Sequence, residues 1–383
     1  MDLGLNEQQI LLARTAREFL ESECPISLIR ELEDSKAGYS PDLWNDLWKK
    51  MADLGWVGLA IPTGYGGEGE NLTDQTALFE EVGRAMVPGP LLASSAFAVQ
   101  AILAAGSDEQ KNRLLPAMAR GDTIVTTVLA GQGLNDGQEL GLRATADGQG
   151  YLLEGNALFV PYADSADIIL FVAGSLGQTE STVFLTLFLV DTGSAGLTAT
   201  AMPSIGGYRQ HEVRCRQVRL GSDAALGPVG GAASFLGPAQ RWATVLQCAD
   251  IVGRSEKILE MVVEYSKNRV QFGRPIGTFQ AIQHQCADLR TAVDGARMAT
   301  YYAAWKVDQG GNNGNATEEV AVAKAYAGDL SRRAVAVGHG IFAGIAFTVE
   351  HDMQLYTMRS KIAEANLGDT DHHLEQLAHC MGL

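Results

Sequence analysis

The sequence predicts an α+β protein in which a helical N-terminal part, a middle β domain and a helical C-terminal part follow one another. Apolar residues recur at helical spacing up to about residue 120, and again from Ala232 onward. Between these parts, short β-rich runs alternate with clusters of glycine, serine, aspartate and proline. Because no long helix separates the runs, we expect antiparallel strands in a small barrel or sandwich. We place the domain boundaries at 1–120, 121–228 and 229–383.

The N-terminal part has the pattern of amphipathic helices separated by proline and glycine. The first apolar face holds Leu11, Leu12, Ala16, Phe19 and Leu20, and further helices are predicted over 42–54, 72–86 and 91–105. Charged residues occur throughout the first helix, so we do not interpret it as a signal peptide.

A glycine-rich segment of this part, Gly64-Tyr-Gly66-Gly67-Glu-Gly69, matches the G-x-G-x-x-G pattern of dinucleotide-binding turns. It follows a short apolar run and precedes a helix, as such a turn should. However, Pro62 interrupts the junction between the run and the turn, and no second strand follows to complete a βαβ unit. We therefore expect these glycines to be structural.

The middle domain is predicted from β-rich runs over 123–129, 151–158, 166–172, 181–190 and 211–220. In the last run, Val213 and Cys215 alternate, and Val218 then falls out of phase. A break of this kind predicts a β-bulge, in which two residues of one strand face one residue of the neighbouring strand.

Composition is typical of a compact soluble protein, since 46% of the 383 residues are hydrophobic and 19% are charged. A net charge of −16 disfavours nucleic acid or an anionic membrane as partner, although a local basic pocket for a phosphate-bearing ligand stays possible. The five cysteines are far apart and never form C-x-x-C, which predicts reduced thiols and a cytoplasmic location. The longest apolar runs have strand length, so we expect no membrane-spanning segment.

The stretch over 269–289 joins two helical patterns through a break made by glycine and proline. Thr278 is a plausible N-cap for the second helix, which we expect to run to about Asp308. Four residues lie near helix ends at the break: Arg269, Gln271, Phe272 and Gln280. A fixed cation there can meet an anion or a polar cofactor, but an arginine in the last turn of a helix is more often a surface cation opposing the helix dipole.

The same stretch carries a family resemblance. The sequence Arg269-Val-Gln-Phe-Gly-Arg-Pro-Ile-Gly-Thr-Phe-Gln280, followed by Ala287-Asp288, resembles the R-x-x-F-G-x-P-I-x-x-F-Q…L-A-D signature of the acyl-CoA dehydrogenase family. The segment over 106–122 is similar to the family's G-x-x-E-Q-K…L-P…G-E segment. The resemblance includes divergent bacterial members, among them subunits of heterotetrameric steroid-degrading dehydrogenases. It implies the acyl-CoA dehydrogenase fold, with a C-terminal four-helix bundle.

The resemblance also implies a reaction, the α,β-dehydrogenation of an acyl-CoA thioester. In this family a carboxylate removes the α-proton while the β-hydrogen leaves as hydride to FAD. The implied partners are the acyl-CoA substrate, an electron-transferring flavoprotein as electron acceptor, and a homologous dehydrogenase subunit in a homo- or heterotetramer. By analogy with those members, the resemblance suggests a steroid-derived or otherwise bulky acyl group.

The resemblance assigns the contacts to FAD residue by residue. Arg269 would hold the pyrophosphate, and Phe272, Phe279 and Gln280 would line the adenine side, usually on the FAD of a neighbouring subunit. The segment from Gly340 to Gly344 corresponds to the family's Q-x-x-G-G, but here the glutamine and one glycine are absent.

The contacts to the flavin ring depart further from the family. Its W-x-T is Phe159-Val160-Pro161 here, so Phe159 is left to stack on the ring. Pro161 offers neither a hydroxyl nor a backbone N–H. The place of the family's T-E-P-x-x-G-S-D is taken by residues 128–133, which lack its hydroxyl groups.

The catalytic base is the largest departure. The family supplies a glutamate either from a C-terminal Y-E-G-T segment, which corresponds to 367–370 here, or from a helix position occupied here by Ala243. Gly368 takes the glutamate position of the first segment, Asp369 follows, and Thr370 is retained as a flavin contact. Asp369 is therefore the candidate base. Alternatively, Asp369 or Thr370 only N-caps a final helix over 372–381.

Histidines and carboxylates near the C-terminus suggest a metal site: Asp371, His372, His373, Glu375 and His379. Adjacent helical residues point about 100° apart, and only Glu375 and His379 share a face. We therefore expect no metal, and we expect His339 and His351 to make ordinary polar contacts.

Three functions stay open at this point. The first is an FAD-dependent acyl-CoA dehydrogenase that uses Asp369 as its base. The second is a partner subunit without a base of its own, which lends Arg269 and Gln280 to FAD on a homologous chain. The third is a flavin oxidase or monooxygenase of the same fold, which would require O₂.

Overall fold

The computed structural model describes residues 4–34, 41–128, 141–176, 183–310 and 316–383. The N-terminal part consists of α1 (Glu7–Glu23), α2 (Ile26–Asp34), α3 (Pro41–Asp53), α4 (Leu72–Ala85), a π-helix (Leu92–Ala98) that continues as α5 (Val99–Ala105), and α6 (Asp108–Ala119). The helices predicted from apolar spacing are confirmed, and α2 and α6 add to them. Trp44, Trp48 and Phe97 are fully buried between these helices.

The glycine-rich segment is not a dinucleotide-binding turn. Residues Thr63–Tyr65 form one 3-10 turn, and among the described residues 41–62 no strand precedes it. A Cβ at Gly67 would lie 2.2 Å from the carbonyl oxygen of Ile61 and 2.5 Å from that of Gly58. Close backbone packing therefore requires glycine at this position, and its predicted structural role is confirmed.

The middle domain is built on one large sheet. Its strands are β1 (Val125–Thr127), β2 (Leu142–Asp147), β3 (Gly150–Pro161), β4 (Ile168–Leu176), β5 (Val183–Asp191), β6 (Leu197–Met202), β7 (Gln210–Leu220) and β8 (Ala225–Leu226). Seven strands follow the order β6-β7-β3-β2-β4-β5-β8, and β1 pairs with β4. The alternating buried residues of β3, β4, β5 and β7 form the core of this domain.

The expectation of a purely antiparallel sheet is wrong. β1 runs parallel to β4, and β2 also meets β4 in parallel, whereas the other pairs are antiparallel. Parallel neighbours need a connection of about a dozen residues or more, but that connection need not be a helix. Here β2 and β3 lie between β1 and β4 in the chain and supply the necessary length.

The bulge predicted from the phase break in β7 is confirmed. Leu153 of β3 pairs with Val218, and Gly155 pairs with Cys215, so two residues of β7 face one residue of β3. Gln217, inside the bulge, has a φ of +52°. This local kink lets Val213, Cys215 and Val218 all lie buried although they do not share one alternation.

The C-terminal part is helical. It contains α7 (Ala233–Asn268), a hairpin of β9 (Val270–Gln271) and β10 (Arg274–Pro275), α8 (Gln280–Asp308), α9 (Thr317–Phe342), α10 (Met353–Ala365) and α11 (Thr370–Cys380). Helices α7, α8 and α9 pack on one another, and α10 and α11 pack on α9, which gives the predicted bundle. Within the described ranges, none of the helices combines the length and apolar composition that crossing a membrane requires.

Two glycines bring the N-terminal part against the bundle. A Cβ at Gly83 of α4 would lie 2.0 Å from the carbonyl oxygen of Asp250, and one at Gly253 of α7 would lie 1.8 Å from that of Glu80. The backbones of α4 and α7 therefore touch directly, as larger side chains would not permit. This contact fixes the position of the N-terminal helices over the middle of α7.

Candidate active site

The segment that carries the family signature forms a hairpin between α7 and α8. At its turn, Phe272 and Gly273 adopt φ values of +54° and +78°. The prediction that Thr278 caps α8 is wrong, because its hydroxyl donates to the carbonyl oxygen of Pro275 at 2.7 Å. Thr278 belongs to a 3-10 turn before the helix, and Phe279 occupies the cap position without a side-chain cap.

The hairpin exposes an aromatic and cationic surface. The Phe272 side chain is 91% exposed, and its ring meets that of Phe279 edge-on, with the ring centroids 6.0 Å apart. The Arg274 guanidinium lies 4.2 Å from the centroid of the Phe279 ring. Arg269 and Gln280 are also exposed, and neither side chain makes a hydrogen bond or ion pair to the part of the chain that the structure describes. The structure thus brings together the four residues predicted to bind the pyrophosphate and adenine.

The segment of Gly340 and Gly344 lies near this hairpin. Phe342, the last residue of α9, packs against Tyr265 in the last turn of α7 with ring centroids 4.8 Å apart. The backbone N–H of Arg269 donates to the carbonyl oxygen of Tyr265. A Cβ at Gly340 or Gly344 would meet no atom within 4 Å, so packing inside this chain does not require glycine at either position.

Phe159 lies at an irregularity of β3. The register to β7 shifts between Ala157 and Val160, and Phe159 there has a φ of +61° and is 37% exposed. The carbonyl oxygen of Pro161 accepts a hydrogen bond from Thr126 Oγ1 at 2.6 Å. Residues 128–133 take the place of the family's T-E-P-x-x-G-S-D segment. Of these, residues 129–133 lie outside the described part of the chain.

Asp369, the candidate base, occupies the N-cap of α11. Its carboxylate accepts a hydrogen bond from the backbone N–H of His372 at 2.9 Å, and the residue is exposed. The N-cap role of Asp369 is therefore confirmed, and its role as the catalytic base stays a prediction. Thr370, the first residue of α11, is buried, and its hydroxyl lies against Gly328 of α9 without a hydrogen-bond partner among the described residues.

Gly368, at the family's glutamate position, has little room for a side chain. Its φ is +92°, and a Cβ there would lie 2.4 Å from Cδ2 of His372. Lys324 of α9 is hydrogen-bonded to the same loop. Its Nζ donates to the carbonyl oxygens of Gly368 at 2.5 Å and Glu364 at 2.8 Å. Burial lowers the pKa of Lys324 to about 8. Sequence reasoning missed this residue, and its only signal is a lone lysine among the small apolar residues of α9.

The histidines near the C-terminus make local contacts. His373 is buried, its Nε2 lies 2.9 Å from the carbonyl oxygen of Leu367, and burial lowers its pKa to about 4. The rings of His372 and His373 stand nearly perpendicular, at 87°. His339 Nε2 lies 2.8 Å from Thr357 Oγ1, and His351 Nδ1 accepts from the N–H of Met353, so both make the ordinary polar contacts expected.

Comparison with known proteins assigns the family. Residues 6–122 match the sequence model of the acyl-CoA dehydrogenase N-terminal domain, and residues 240–382 match that of the C-terminal domain. The acyl-CoA dehydrogenase IpdE2 of Mycolicibacterium smegmatis is 30% identical over 373 residues, which cover 97% of this chain and 98% of the relative. The chain belongs to the acyl-CoA dehydrogenase family.

Solved structures of this family superpose on the whole chain. The ChsE4-ChsE5 complex from Mycobacterium tuberculosis is 27% identical with a TM-score of 0.86, and covers 100% of this chain and 99% of the solved chain. A protein described as the Tcur3481-Tcur3483 steroid ACAD is 28% identical with a TM-score of 0.85, with the same coverage. As an acyl-CoA dehydrogenase, the chain is an oxidoreductase of acyl-CoA thioesters with FAD as cofactor.

The residues at the hairpin fit the adenosine diphosphate end of FAD. An arginine with no partner in the described part of the chain can neutralise a phosphate, and the exposed ring of Phe272 with the half-buried ring of Phe279 can cover a base. The flavin end is less complete, because Pro161 brings no donor and Gly368 brings no carboxylate. The assignments of individual site residues stay predictions.

Proposed function

We propose that the chain takes part in the α,β-dehydrogenation of an acyl-CoA within an assembly of homologous subunits. In this assembly, Arg269, Phe272 and Gln280 bind the adenine and pyrophosphate of FAD held mainly by a neighbouring subunit. The observation that carries the proposal is the exposure of this hairpin, above all of Phe272 at 91%. A large exposed ring in the same segment as a cation without a partner in the described residues is typical of a surface that a ligand or another chain covers.

The assembly is proposed to contain two different chains. Two solved relatives above 25% identity are described as pairs, ChsE4-ChsE5 and Tcur3481-Tcur3483, and the second is described as a steroid ACAD. The loop of Gly368 supports this pairing, because it carries no glutamate and has little space for one. A partner chain would then supply the base, and a steroid-derived or otherwise bulky acyl-CoA would be the substrate.

Within this proposal each residue of the chain has a limited task. FAD supplies the acceptor for the hydride. Arg269 neutralises phosphate charge, Phe272 and Phe279 hold the adenine, and Lys324 keeps the loop of Gly368 in place through two carbonyl oxygens. An electron-transferring flavoprotein would be the electron acceptor of the assembly. The five cysteines are all free, which supports a cytoplasmic location.

Co-expression with a homologous subunit tests the proposal. The purified assembly should contain bound FAD, measured by its flavin absorbance, and should reduce ferrocenium with an acyl-CoA. Arg269→Ala should weaken FAD binding by about tenfold or more, as expected for a charge-assisted contact. Lys267→Ala is the matched control, since Lys267 is an exposed cation at the end of the same helix outside the family signature.

Two results would contradict the proposal. One is an unchanged FAD affinity in the Arg269→Ala assembly. The other is a chain that, purified alone, already holds one FAD and turns over acyl-CoA. In the second case loss of turnover in Asp369→Asn would identify an independent dehydrogenase, and a requirement for O₂ would identify an oxidase or monooxygenase.

A further inference from the structure

A cavity of about 60 Å³ lies where all three parts of the chain meet. The N-terminal part supplies an apolar side: Phe79, Val82, Val87, Gly89, Pro90, Leu91, Leu92 and Ala93. The other parts supply a mainly polar side: Tyr208, Gln247, Asp250, Arg254, Arg359 and Asn366, with Ile362 and Ala363. The rim includes Val87, Gly89, Leu92 and Ile362, which are partly exposed.

The polar side contains two guanidinium groups and one carboxylate. Arg254 Nη2 donates to both oxygens of Asp250, at 2.9 and 2.7 Å, and its Nη1 donates to the carbonyl oxygen of Arg359 at 2.8 Å. Gln247 Nε2 also donates to the Asp250 carboxylate, at 3.0 Å. Asp250 is thus fully engaged by Arg254 and Gln247, and its carboxylate is not hydrogen-bonded to Arg359.

Arg359 has much weaker partners. Its Nη2 lies 3.5 Å from the carbonyl oxygen of Gly207, and its guanidinium lies 5.7 Å from the centroid of the Tyr208 ring. Both Arg254 and Arg359 are only 5% exposed, yet the Nε atoms of both have no hydrogen-bond partner among the described residues. Donors on buried cations are costly to leave unpaired, so the cluster lacks an acceptor.

The other titratable groups near the two arginines do not supply the missing charge. Burial raises the pKa of the Cys24 thiol to about 12 and raises the pKa values of Tyr208 and Tyr356, so these three groups are neutral at physiological pH. Asp250 is then the one carboxylate that is hydrogen-bonded to either guanidinium group within the described residues. The net charge of the cluster is about +1, which favours an anion in the cavity.

The cavity also lies between Ala243 and Gly368, the two positions at which the family carries its catalytic glutamate. Gln247 is one helical turn beyond Ala243, and Asn366 is two residues before Gly368, and both side chains line the cavity. An acyl group lying beside Ala243 or Gly368, with the base supplied by the partner chain, would therefore have this cavity within reach. Its apolar side suits a hydrocarbon body, and a guanidinium fork matches the geometry of a carboxylate.

We infer that this cavity receives a carboxylate on the acyl group, and that the chain binds acyl-CoA thioesters with a carboxyl group remote from the thioester. Arg359 is the residue that binds this carboxylate, with Arg254 beside it. The inference rests on the proposed binding of acyl-CoA, and it specifies the class of acyl group.

Calorimetric titration with two matched thioesters tests this inference without turnover. Octanoyl-CoA and octanedioyl-CoA have the same chain length and the same CoA moiety, so the ratio of their Kd values isolates the terminal carboxylate. We expect the purified assembly to bind octanedioyl-CoA at least about tenfold more tightly. Equal affinities, tighter binding of octanoyl-CoA, or no binding of either thioester would overturn the inference.

Substitutions in this chain then test whether Arg359 causes the preference for octanedioyl-CoA. Arg359→Met should reduce the ratio of Kd values to near one, whereas Arg359→Lys should retain part of it. Arg333→Met removes an exposed arginine that pairs with Asp329, and should leave the ratio unchanged. A preference that persists in Arg359→Met would overturn the role of this cavity. FAD content in Arg269→Ala is measured separately, so a failure of the proposed function and a failure of this inference remain distinguishable.

Discussion

Substitutions of Asp369 separate its two possible roles. Asn and Ser are good N-cap residues and can accept the hydrogen bond that the His372 N–H now donates at 2.9 Å. Ala cannot accept it, and loss of the cap costs about 1 kcal/mol. Loss of the negative charge at the helix N-terminus costs about 0.3–1 kcal/mol more, in all three variants.

Hydrogen exchange of the α11 amides measures this cost directly. If Asp369 acts only as a cap, Asp369→Ala should exchange about fivefold faster across Thr370–Cys380 than Asp369→Asn or Asp369→Ser. The ferrocenium-coupled turnover of the assembly should then stay within about twofold of wild type for Asn and Ser, because neither changes the fold.

A catalytic role gives a different pattern. Asn and Ser cannot remove a proton from the α-carbon, so both variants would lose about 10²-fold to 10⁴-fold in turnover while α11 stays protected. That result would refute the assignment of Asp369 as a cap alone. It would also make this chain, and not its partner, the source of the base.

Three further outcomes follow from the packing of glycine and histidine residues. Gly368→Ala should lower the free energy of unfolding by about 1–3 kcal/mol, because the φ of Gly368 is +92° and a Cβ there would clash with His372. Gly344 faces open space, so Gly344→Ala should leave the free energy of unfolding unchanged. Urea denaturation compares the two variants. Gly253→Ala should cost about 3 kcal/mol or more by forcing α4 away from α7, again measured by urea denaturation. Burial lowers the pKa of His373 to about 4 from 6.5, so the unfolded chain binds more protons between these values and stability falls as pH drops through that window. His373→Gln should remove up to about 3 kcal/mol of this dependence between pH 7.5 and 4.5, and the exposed His379→Gln is measured beside it as a control.

The sequence by itself determined the main helices, the bulge in β7 and the position of the family signature. Apolar spacing located the main helices, and one phase break located the bulge at Val218, because both patterns depend on neighbours within a few residues. The signature from Arg269 to Gln280 is equally local, since one hairpin presents all of it.

Only the tertiary structure decided the features that join distant parts of the chain. The parallel pairing of β1 with β4 depends on a connection of about forty residues, and no local pattern encodes its direction. Lys324 and Arg359 have residue types that are usually exposed, so their burial was invisible until α9 and α10 were packed. The charge balance around Asp250 likewise depends on a residue more than one hundred positions away. Periodicity reports which face of an element is buried, whereas the charges that meet there depend on how the elements pack.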